Sequence, residues 1–433
     1  MKRKRYVIVG AGGRATCFAR ALIVDYRECA DLVALCDVNL LRLRGFNEYL
    51  ETQIPMFTDF GEMVAKSAPT HAIICSPDYT HAAMIEQAFQ HGLEAVCEKP
   101  MATDAAKVRQ ILALEKQYGK KVAVTFNYRY HPYSAQIKRV LQEGRLGAIR
   151  SINFEWLLDK VHGGEYFRRW HASMAHSGGL FVHKATHHFD LVNWFIGSEP
   201  ASVAAFGSLN VFGAKGPFRG ERCSTCRYAG GQCAWEMKIH TVPQHKRIFE
   251  KLYWEPEAGD GYVRDRCLFR EEIDIYDSMN AIVSYRNGTQ LSYSLTAYAP
   301  VEGYRLSMIG TEARLEASTV NANTMDAGIM QDGGTGEDML VVTRGHTRED
   351  LAVEQIAVSR QPGAHGGGDK RMFEHLFGDN VPDPLGQAAG SSAGAMSCLI
   401  GIAANQAVAE NRVVSINELF LNGAENNAWR IEK

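Results

Sequence analysis

Two short motifs about ninety residues apart carry residue types that suit redox chemistry. The first is the glycine-rich string Gly10-Ala11-Gly12-Gly13-Arg14-Ala15, directly after the apolar run 6–9. The second is Glu98-Lys99-Pro100, directly after the run 93–97. The first motif is typical of a strand-to-helix turn that holds a dinucleotide diphosphate. Because parallel strands end at one edge of a sheet, we expect Lys99 to share a cleft with that cofactor.

The residue types of the first motif each have a physical reason. Gly10 makes the tight turn, Gly12 lets the backbone approach the diphosphate, and Ala15 lets the helix pack closely on the sheet. Asp37 ends the next apolar run, where a carboxylate accepts hydrogen bonds from the adenosine ribose. Because that carboxylate repels a 2′-phosphate, the sequence favours NAD over NADP, although Arg14 nearby weighs against this preference.

The elements that must position these motifs alternate between strand and helix over residues 1–126. Nearly continuous apolar runs predict strands at 5–10, 32–37, 71–76, 94–98 and 122–126. Helical periodicity predicts helices at 14–26, 40–51, 80–91 and 104–118. This alternation indicates an α/β fold with a doubly wound parallel sheet of the Rossmann type.

After residue 126 strands and helices no longer alternate regularly, which predicts a second domain over 127–433. Strand pairs around Asn287-Gly288 and Gly310-Thr311 indicate an open, mainly antiparallel sheet in an α+β domain. Helices are predicted at 132–143 and 391–410, the second long and amphipathic. Residues 212–269 are interpreted as a cysteine-containing insertion.

Composition narrows the functional class. The chain has 433 residues, 46% of them hydrophobic, and a formal net charge of −2, which favours two domains and excludes a polycationic nucleic-acid binder. No uninterrupted run of 18 apolar residues occurs, so no transmembrane helix is expected. Secretory features are absent, and most of the ten cysteines fall in apolar patterns. A cytoplasmic protein is therefore expected.

Further motifs give the chain a family resemblance. They are Ser76-Pro77-Asp78 with His81, Asn127-Tyr128-Arg129, and Ser177-Gly178-Gly179 followed by His187, Asp190 and Trp194. With the two motifs above and Asp37, the chain resembles the Gfo/Idh/MocA oxidoreductases over most of its length. The resemblance implies that Lys99 lies beside the nicotinamide and the reacting carbon, and that His187 acts as, or supports, the catalytic base.

One departure from the family pattern lies just before His187. The pattern has an aspartate four residues before this histidine, whereas this chain has His183, followed by Lys184. Lys184 and His187 are spaced i and i+3, so they face the same side of a helix. Lys184 is therefore a third catalytic candidate, with a substrate-binding role as the alternative.

The remaining candidate site residues fall into two groups. Those expected at the cofactor are Gly10, Gly12, Gly13, Arg14, Ala15, Asp37, Ser76, Pro77, His81, Glu98, Lys99 and Asn127. Those expected at the substrate are Arg129, His183, His188 and His365, the last in a glycine-rich loop.

Four cysteines of the insertion form a separate cluster in the sequence. Cys223 and Cys226 make a CxxC pair, and Cys233 and Cys267 follow in polar surroundings. A segment with so little core favours a structural zinc on four thiolates. An iron–sulfur cluster, a redox-active pair and free thiols stay open as alternatives. A catalytic metal on the histidines of 171–188 is disfavoured by their spacing.

These observations predict an NAD-dependent oxidoreductase that transfers a hydride between nicotinamide and a hydroxyl-bearing carbon of a sugar, cyclitol or related polyol. One alternative is an NAD-dependent glycosidase that works by transient oxidation and elimination. Another is a non-catalytic sugar or dinucleotide sensor. An open sheet face with Ile282, Leu291, Tyr293, Leu295 and Tyr298 predicts a homodimer or homotetramer.

Overall fold

The computed structural model describes residues 3–237, 243–319, 325–326, 329–330, 336–345, 347–362 and 364–421. Its first part alternates strand and helix. The strands are β1 (Lys4–Val9), β2 (Ala30–Cys36), β3 (Met56–Phe57), β4 (His71–Ile74), β5 (Glu94–Cys97) and β6 (Val122–Val124). The helices are α1 (Gly13–Arg20), α2 (Leu40–Leu50), α3 (Phe60–Ser67), α4 (His81–Gln90) and α5 (Ala105–Tyr118).

The six strands form one parallel sheet in the order β3-β2-β1-β4-β5-β6. Central strand residues such as Val7, Ile8 and Ile73 are at most 1% exposed, because helices cover both faces of the sheet. The predicted doubly wound fold is confirmed. Strand β3 was not predicted, because two residues are too short to show a period.

The second part adds longer strands. Its strands are β7 (Ile149–Asp159), β8 (Pro200–Ser208), β9 (Ser278–Tyr285), β10 (Gln290–Ala299), β11 (Gly303–Gly310), β12 (Ala313–Ser318), β13 (Met325–Asp326), β14 (Ile329–Met330), β15 (Glu337–Arg344), β16 (Ala352–Ser359) and β17 (Val414–Ser415). Its helices are α6 (Pro132–Gln142), α7 (Lys160–Arg168), α8 (Met174–Ser177), α9 (Gly179–His183), α10 (Ala185–Ile196), α11 (Pro243–Phe249), α12 (Glu257–Asp260), α13 (Gly368–Phe377), α14 (Ser391–Glu410) and α15 (Ile416–Leu421).

Nine of these strands form a mixed sheet in the order β16-β15-β12-β11-β7-β10-β9-β8-β17. The two predicted hairpins are present as the antiparallel pairs β9–β10 and β11–β12. Only the pair β7–β10 is parallel among the described pairs of this sheet. The insertion leaves the sheet after β8 and returns at β9.

Helix α14 has the predicted bounds, but it is buried on most sides rather than amphipathic. It packs on β8, α9 and α10 and also touches α5 and β6 of the first domain. Within the described residues it is the one helix long and apolar enough to cross a membrane by length and composition. Since 61% of its apolar stretch is buried inside the protein, packing in the core accounts for this composition.

The open face of the nine-stranded sheet differs from the prediction. Leu291, Tyr293 and Leu295 are at most 3% exposed, so they lie on the side that the helices cover. Ser292, between Leu291 and Tyr293, pairs with Ile282, which is 59% exposed. Because side chains alternate along a strand, Ile282 and those three residues lie on opposite faces, and the prediction that grouped them was wrong.

Candidate active site

The glycine-rich loop between β1 and α1 has the shape that a dinucleotide requires. Gly10 has φ +91°, and a Cβ there would lie 2.6 Å from the Ser76 nitrogen, so only glycine fits. Gly12 is the N-cap of α1 and provides no capping side chain. The first N–H groups of α1 therefore need a polar partner other than the N-cap side chain, at the carboxyl edge of the sheet.

Asp37, after β2, is tied to this loop. Its carboxylate accepts hydrogen bonds from the backbone nitrogens of Ala11 at 2.8 Å and Asn39 at 2.9 Å. Arg42 Nη1 lies 3.4 Å from the same carboxylate and also pairs with Asp260 at 2.6 Å. The predicted ribose-binding carboxylate is thus held at the loop by its own strand and helix.

Arg14 does not stand free beside Asp37. Its guanidinium donates to Glu98 at 2.7 Å and to both oxygens of Asp369 at 2.9 and 3.1 Å. Asn127 Nδ2 donates to the same Asp369 at 2.8 Å. Arg14, Glu98 and Asn127 therefore form one network with Asp369, which the sequence did not single out as a site residue.

The loop after β4 contains Ser76 and Pro77, and His81 follows it. The two ring nitrogens of His81 lie 2.8 Å from the Pro100 carbonyl oxygen and 2.9 Å from the Ser76 carbonyl oxygen. The side chain is 1% exposed. His81 therefore joins the β4 loop to the segment after Lys99, and its place at the cofactor stays a prediction.

Lys99 follows β5 and reaches the second domain. Its Nζ donates to the carbonyl oxygen of His183 at 3.4 Å. Burial lowers the pKa of Lys99, and the carboxylates of Asp78 and Glu98 oppose this shift. The lysine of the first domain and the segment that leads to His187 thus meet in one cleft.

His183, at the end of α9, hydrogen-bonds through Nδ1 to Asp78 Oδ2 across this cleft. Its ring also lies 4.2 Å from that of His171, which stacks on Trp170 at 3.7 Å. Asp78 is part of the motif Ser76-Pro77-Asp78, but the sequence alone predicted no role for it. Its partner is 105 residues away, so spacing alone did not reveal the contact.

Lys184 and His187 lie against one aromatic ring. Lys184 Nζ is 5.5 Å from the centre of Tyr128 and 5.3 Å from that of Trp156, and the His187 ring is 4.7 Å from Tyr128. Lys184 is 3% exposed. Burial lowers its pKa to about 7, Glu302 opposes the shift and Lys99 adds to it. This lysine is therefore able to take or give a proton near neutrality.

Two residues predicted to bind substrate have partners in the core instead. Arg129 donates to both oxygens of Asp190 at 2.6 and 2.7 Å and is 6% exposed. His188 is fully buried, stacks on Trp156 at 3.8 Å and hydrogen-bonds to Tyr293 at 2.7 Å. Both side chains make contacts within the protein, and their predicted place at the substrate stays a prediction. His365 lies in the turn Ala364–Gly367, and its side chain is outside the described residues.

The four insertion cysteines line one cavity, together with Arg168 and Trp235. Arg168 Nη1 lies 3.0 Å from Cys223 Sγ. Among the described residues, no group of three or more histidine, cysteine or acidic side chains has the arrangement needed to hold a metal ion. The structure thus brings Cys223, Cys226, Cys233 and Cys267 to one place without forming a metal centre, and zinc stays a prediction.

The insertion also reaches the glycine-rich loop, which the sequence did not predict. Tyr253 Oη accepts a hydrogen bond from the Gly13 nitrogen at 3.1 Å. Residues 250–260 pack on α2 through Leu252 and Pro256, whose carbonyl oxygens accept from Arg42 and Asn39 at 3.2 and 2.8 Å. These contacts join residues more than 200 positions apart, so no local pattern could have revealed them.

The fold and cleft define a two-domain oxidoreductase with a Rossmann nucleotide-binding domain. Two family models match the chain: "Oxidoreductase family, NAD-binding Rossmann fold" over residues 4–126 and "Oxidoreductase family, C-terminal alpha/beta domain" over residues 138–416. The chain belongs to the Gfo/Idh/MocA oxidoreductase family.

Relatives and solved structures agree with this assignment. The chain is 34% identical to "Putative oxidoreductase YteT" of Bacillus subtilis (strain 168), covering 96% of this chain and 99% of that protein. It is 31% identical to an inositol 2-dehydrogenase of Rhizobium meliloti, over 32% of this chain and 40% of that protein. The fold is similar to that of a levoglucosan dehydrogenase in complex with NADH and levoglucosan, with a TM-score of 0.65 at 15% identity, covering 96% of this chain and all of that one. It is also similar to that of the WlbA dehydrogenase from Bordetella pertussis in complex with NADH and UDP-GlcNAcA. The TM-score is 0.63 at 17% identity, and the match covers 96% of this chain and 99% of that one.

Proposed function

We propose that this protein is an NAD-dependent dehydrogenase that acts on a hydroxyl-bearing carbon of a sugar, cyclitol or related polyol. The observation that carries the proposal is the meeting of Lys99 with the backbone of His183. His183 precedes Lys184 by one residue and His187 by four, so this contact supports a position of Lys99 near both of those residues. Basic groups from both domains therefore surround one buried cleft next to the dinucleotide loop.

The residues present fit a nicotinamide dinucleotide. The glycine loop accepts a diphosphate at the N-terminus of α1, and Asp37 lies where it can accept from ribose hydroxyls. When bound, the nicotinamide ring supplies the acceptor for the hydride. A carboxylate at position 37 favours NAD over NADP because it repels a 2′-phosphate.

We assign the proton steps to this chain's own residues. His187 takes the proton of the substrate hydroxyl, a step that contributes about 10²–10⁴-fold in rate when the base is well placed. The Lys99 ammonium stabilises the developing alkoxide, and Lys184 supports it from the other domain. Arg129 has no direct part, because Asp190 occupies its guanidinium.

A panel of sugars and cyclitols tests the proposal. We expect NADH to accumulate when the protein is mixed with NAD and at least one member of the panel. NADP should serve less well at equal concentration. The absence of cofactor reduction or oxidation over the whole panel, in both directions, would contradict the proposal.

A glycosidase that oxidises its substrate transiently is a second candidate. The observation in its favour is that two proton-transfer groups, Lys184 and His187, lie against the same Tyr128 ring. Such an enzyme moves protons at more than one carbon and returns the hydride. Glycoside cleavage that requires NAD but releases no NADH would favour this candidate over the dehydrogenase.

We also propose a two-fold dimer, or a tetramer made of two such dimers. Its support is the open sheet face, where Phe206 is 75% and Ile282 is 59% exposed on neighbouring strands. Exposed apolar side chains on a wide sheet are typical of an interface.

A further inference from the structure

Asp78 joins the two domains at the cleft through a hydrogen bond to His183, and no role follows for it from the proposed mechanism. It lies in the short turn Asp78–Thr80 after β4 and is 4% exposed. Its carboxylate hydrogen-bonds to Nδ1 of His183, which is 7% exposed. A carboxylate is rarely buried to this extent without a partner of opposite charge.

Lys99 is a cation that contacts the same residue, His183. The Lys99 ammonium donates to the carbonyl oxygen of His183, and the His183 ring bonds to Asp78, so one residue ties the two groups together. Burial raises the pKa of Asp78, and Lys99 is the largest influence that opposes this shift. Burial likewise lowers the pKa of Lys99, and Asp78 is the largest influence that opposes it. Each group therefore favours the charged form of the other.

We propose that Asp78, fixed by His183, is a positioning residue that keeps Lys99 in its ammonium form for alkoxide stabilisation. The kinetic part of this inference rests on the proposed function. The electrostatic part does not, since it concerns the charge of Lys99 in the protein without substrate.

The charge of Lys99 is measured directly by competitive acetylation of the folded protein over a range of pH, read by peptide mass spectrometry. In Asp78→Asn we expect the pKa of Lys99 to fall by about one unit or more, because an anion that favours the ammonium is lost. Asp104→Asn is the matched control, since it removes a half-buried carboxylate that pairs with Lys107 at the start of α5. In this control the pKa of Lys99 should stay unchanged.

Two further variants keep the test decisive. His183→Asn leaves Asp78 in place but changes its hydrogen bond, and Asp78→Glu keeps the charge. We expect an intermediate pKa of Lys99 in the first and recovery towards the wild-type value in the second. If Lys99 titrates alike in wild type, Asp78→Asn and His183→Asn, the inference is wrong, whatever the substrate of the enzyme.

Turnover gives an independent readout once a substrate is known. In Asp78→Asn we expect kcat to fall at least tenfold at mildly alkaline pH, with the alkaline limb of the pH profile moved to lower pH. The KM for NAD should change less than twofold, because Asp78 acts through Lys99 and not on the dinucleotide loop. An unchanged alkaline limb would refute the positioning role, whereas failure of the wild type on every substrate would refute only the proposed function.

A second, independent observation concerns the insertion. Tyr253 Oη accepts the Gly13 N–H, which lies at the helix end where a diphosphate oxygen accepts in this type of fold. The segment is held there by an ion pair of Lys251 with Glu48 at 2.8 Å and by Gly45, where a Cβ would lie 2.0 Å from the Lys251 carbonyl oxygen. We infer that Tyr253 is a residue of the dinucleotide site and competes with the diphosphate for Gly13.

Stopped-flow binding of NADH, followed by its fluorescence, tests this competition without any substrate. Tyr253→Phe removes the hydroxyl and keeps the ring, so association should become about fivefold faster, as expected for the loss of one hydrogen bond. Tyr228→Phe, which changes a tyrosine elsewhere in the insertion, should bind NADH at the wild-type rate. Unchanged or slower association in Tyr253→Phe would overturn the inference.

Discussion

The ammonium nitrogen of Lys184 lies 5.5 Å from the centre of the Tyr128 ring. Trp156 contributes a second ring at 5.3 Å, so two aromatic faces lie beside the lysine nitrogen. Glu302 is the main group that favours its charge, and this carboxylate is itself bonded to His162 at 2.9 Å. Because few groups favour the charge of this buried lysine, its ammonium form lowers the free energy of unfolding by an amount that depends on pH.

Lys184→Met tests this cost through stability. The pKa of Lys184 is about 7 in the folded protein and has its ordinary value of 10.5 in the unfolded chain. Between these values the unfolded chain binds more protons, so this lysine makes the free energy of unfolding rise with pH. Lys184→Met should therefore be more stable than wild type near pH 7, by more than about 1 kcal/mol, and the gain should shrink towards pH 10.

Chemical denaturation at several pH values measures this difference. Lys66→Met is a suitable control, because Lys66 is an exposed lysine paired with Glu62 on α3. Its effect on stability should be small and nearly independent of pH below 9. A wild-type protein and a Lys184→Met variant with parallel pH profiles would show that the lysine titrates normally.

The proposed roles of Lys99 and His187 predict a loss of turnover without a loss of fold. Lys99→Met and His187→Gln should each lower kcat by about 10²–10⁴-fold, because each removes a charge or proton transfer at the reacting atoms. Circular dichroism should show the fold retained, and NADH binding should change little. His91→Gln, at the exposed end of α4, is the control. A His187→Gln variant with nearly normal turnover would mean that another group, such as Lys184, is the base.

Asp37 predicts the choice of cofactor. Asp37→Ala should weaken NAD binding and narrow the preference for NAD over NADP, because it removes a ribose acceptor and a charge that repels a 2′-phosphate. Titration of both cofactors by fluorescence measures the ratio. Asp37→Asn helps to separate the two effects, since it removes the charge and keeps an acceptor oxygen. Equal or tighter binding of NADP by the wild type would contradict the assignment.

Local sequence patterns were enough to predict the first sheet and the hairpins, because apolar runs indicate strands and an Asn-Gly pair indicates the turn between two of them. They were not enough to predict the contacts that Arg129 and His188 make. Both are polar residues close to a catalytic motif, but their partners, Asp190 and Tyr293, are 61 and 105 residues away. The same type of residue binds a substrate or completes a core according to contacts that only the folded chain makes.

The insertion cysteines still predict a metal. The four thiols share one cavity, and a zinc ion there would draw them into a tetrahedral set with Zn–S distances of about 2.3 Å. Elemental analysis of the untagged protein should show close to one zinc per chain, and Cys223→Ser with Cys226→Ser should lose it. Cys29→Ser, at an exposed cysteine outside the insertion, should retain the metal. A metal-free wild type that is folded and active would show that the thiols are only neighbours.

The open face of the nine-stranded sheet predicts the assembly. Phe206 and Ile282 lie on the adjacent strands β8 and β9, where Ala204 pairs with Ile282, so the two exposed side chains belong to one patch. Covering this patch with a second copy removes apolar surface from water, which stabilises a two-fold dimer. Light scattering should therefore give the mass of a dimer or tetramer, and Phe206→Glu with Ile282→Lys should lower it. Val24→Lys, at an exposed apolar residue of the first domain, should leave the mass unchanged. A wild-type protein with the mass of one chain, with or without NAD, would rule out the dimer.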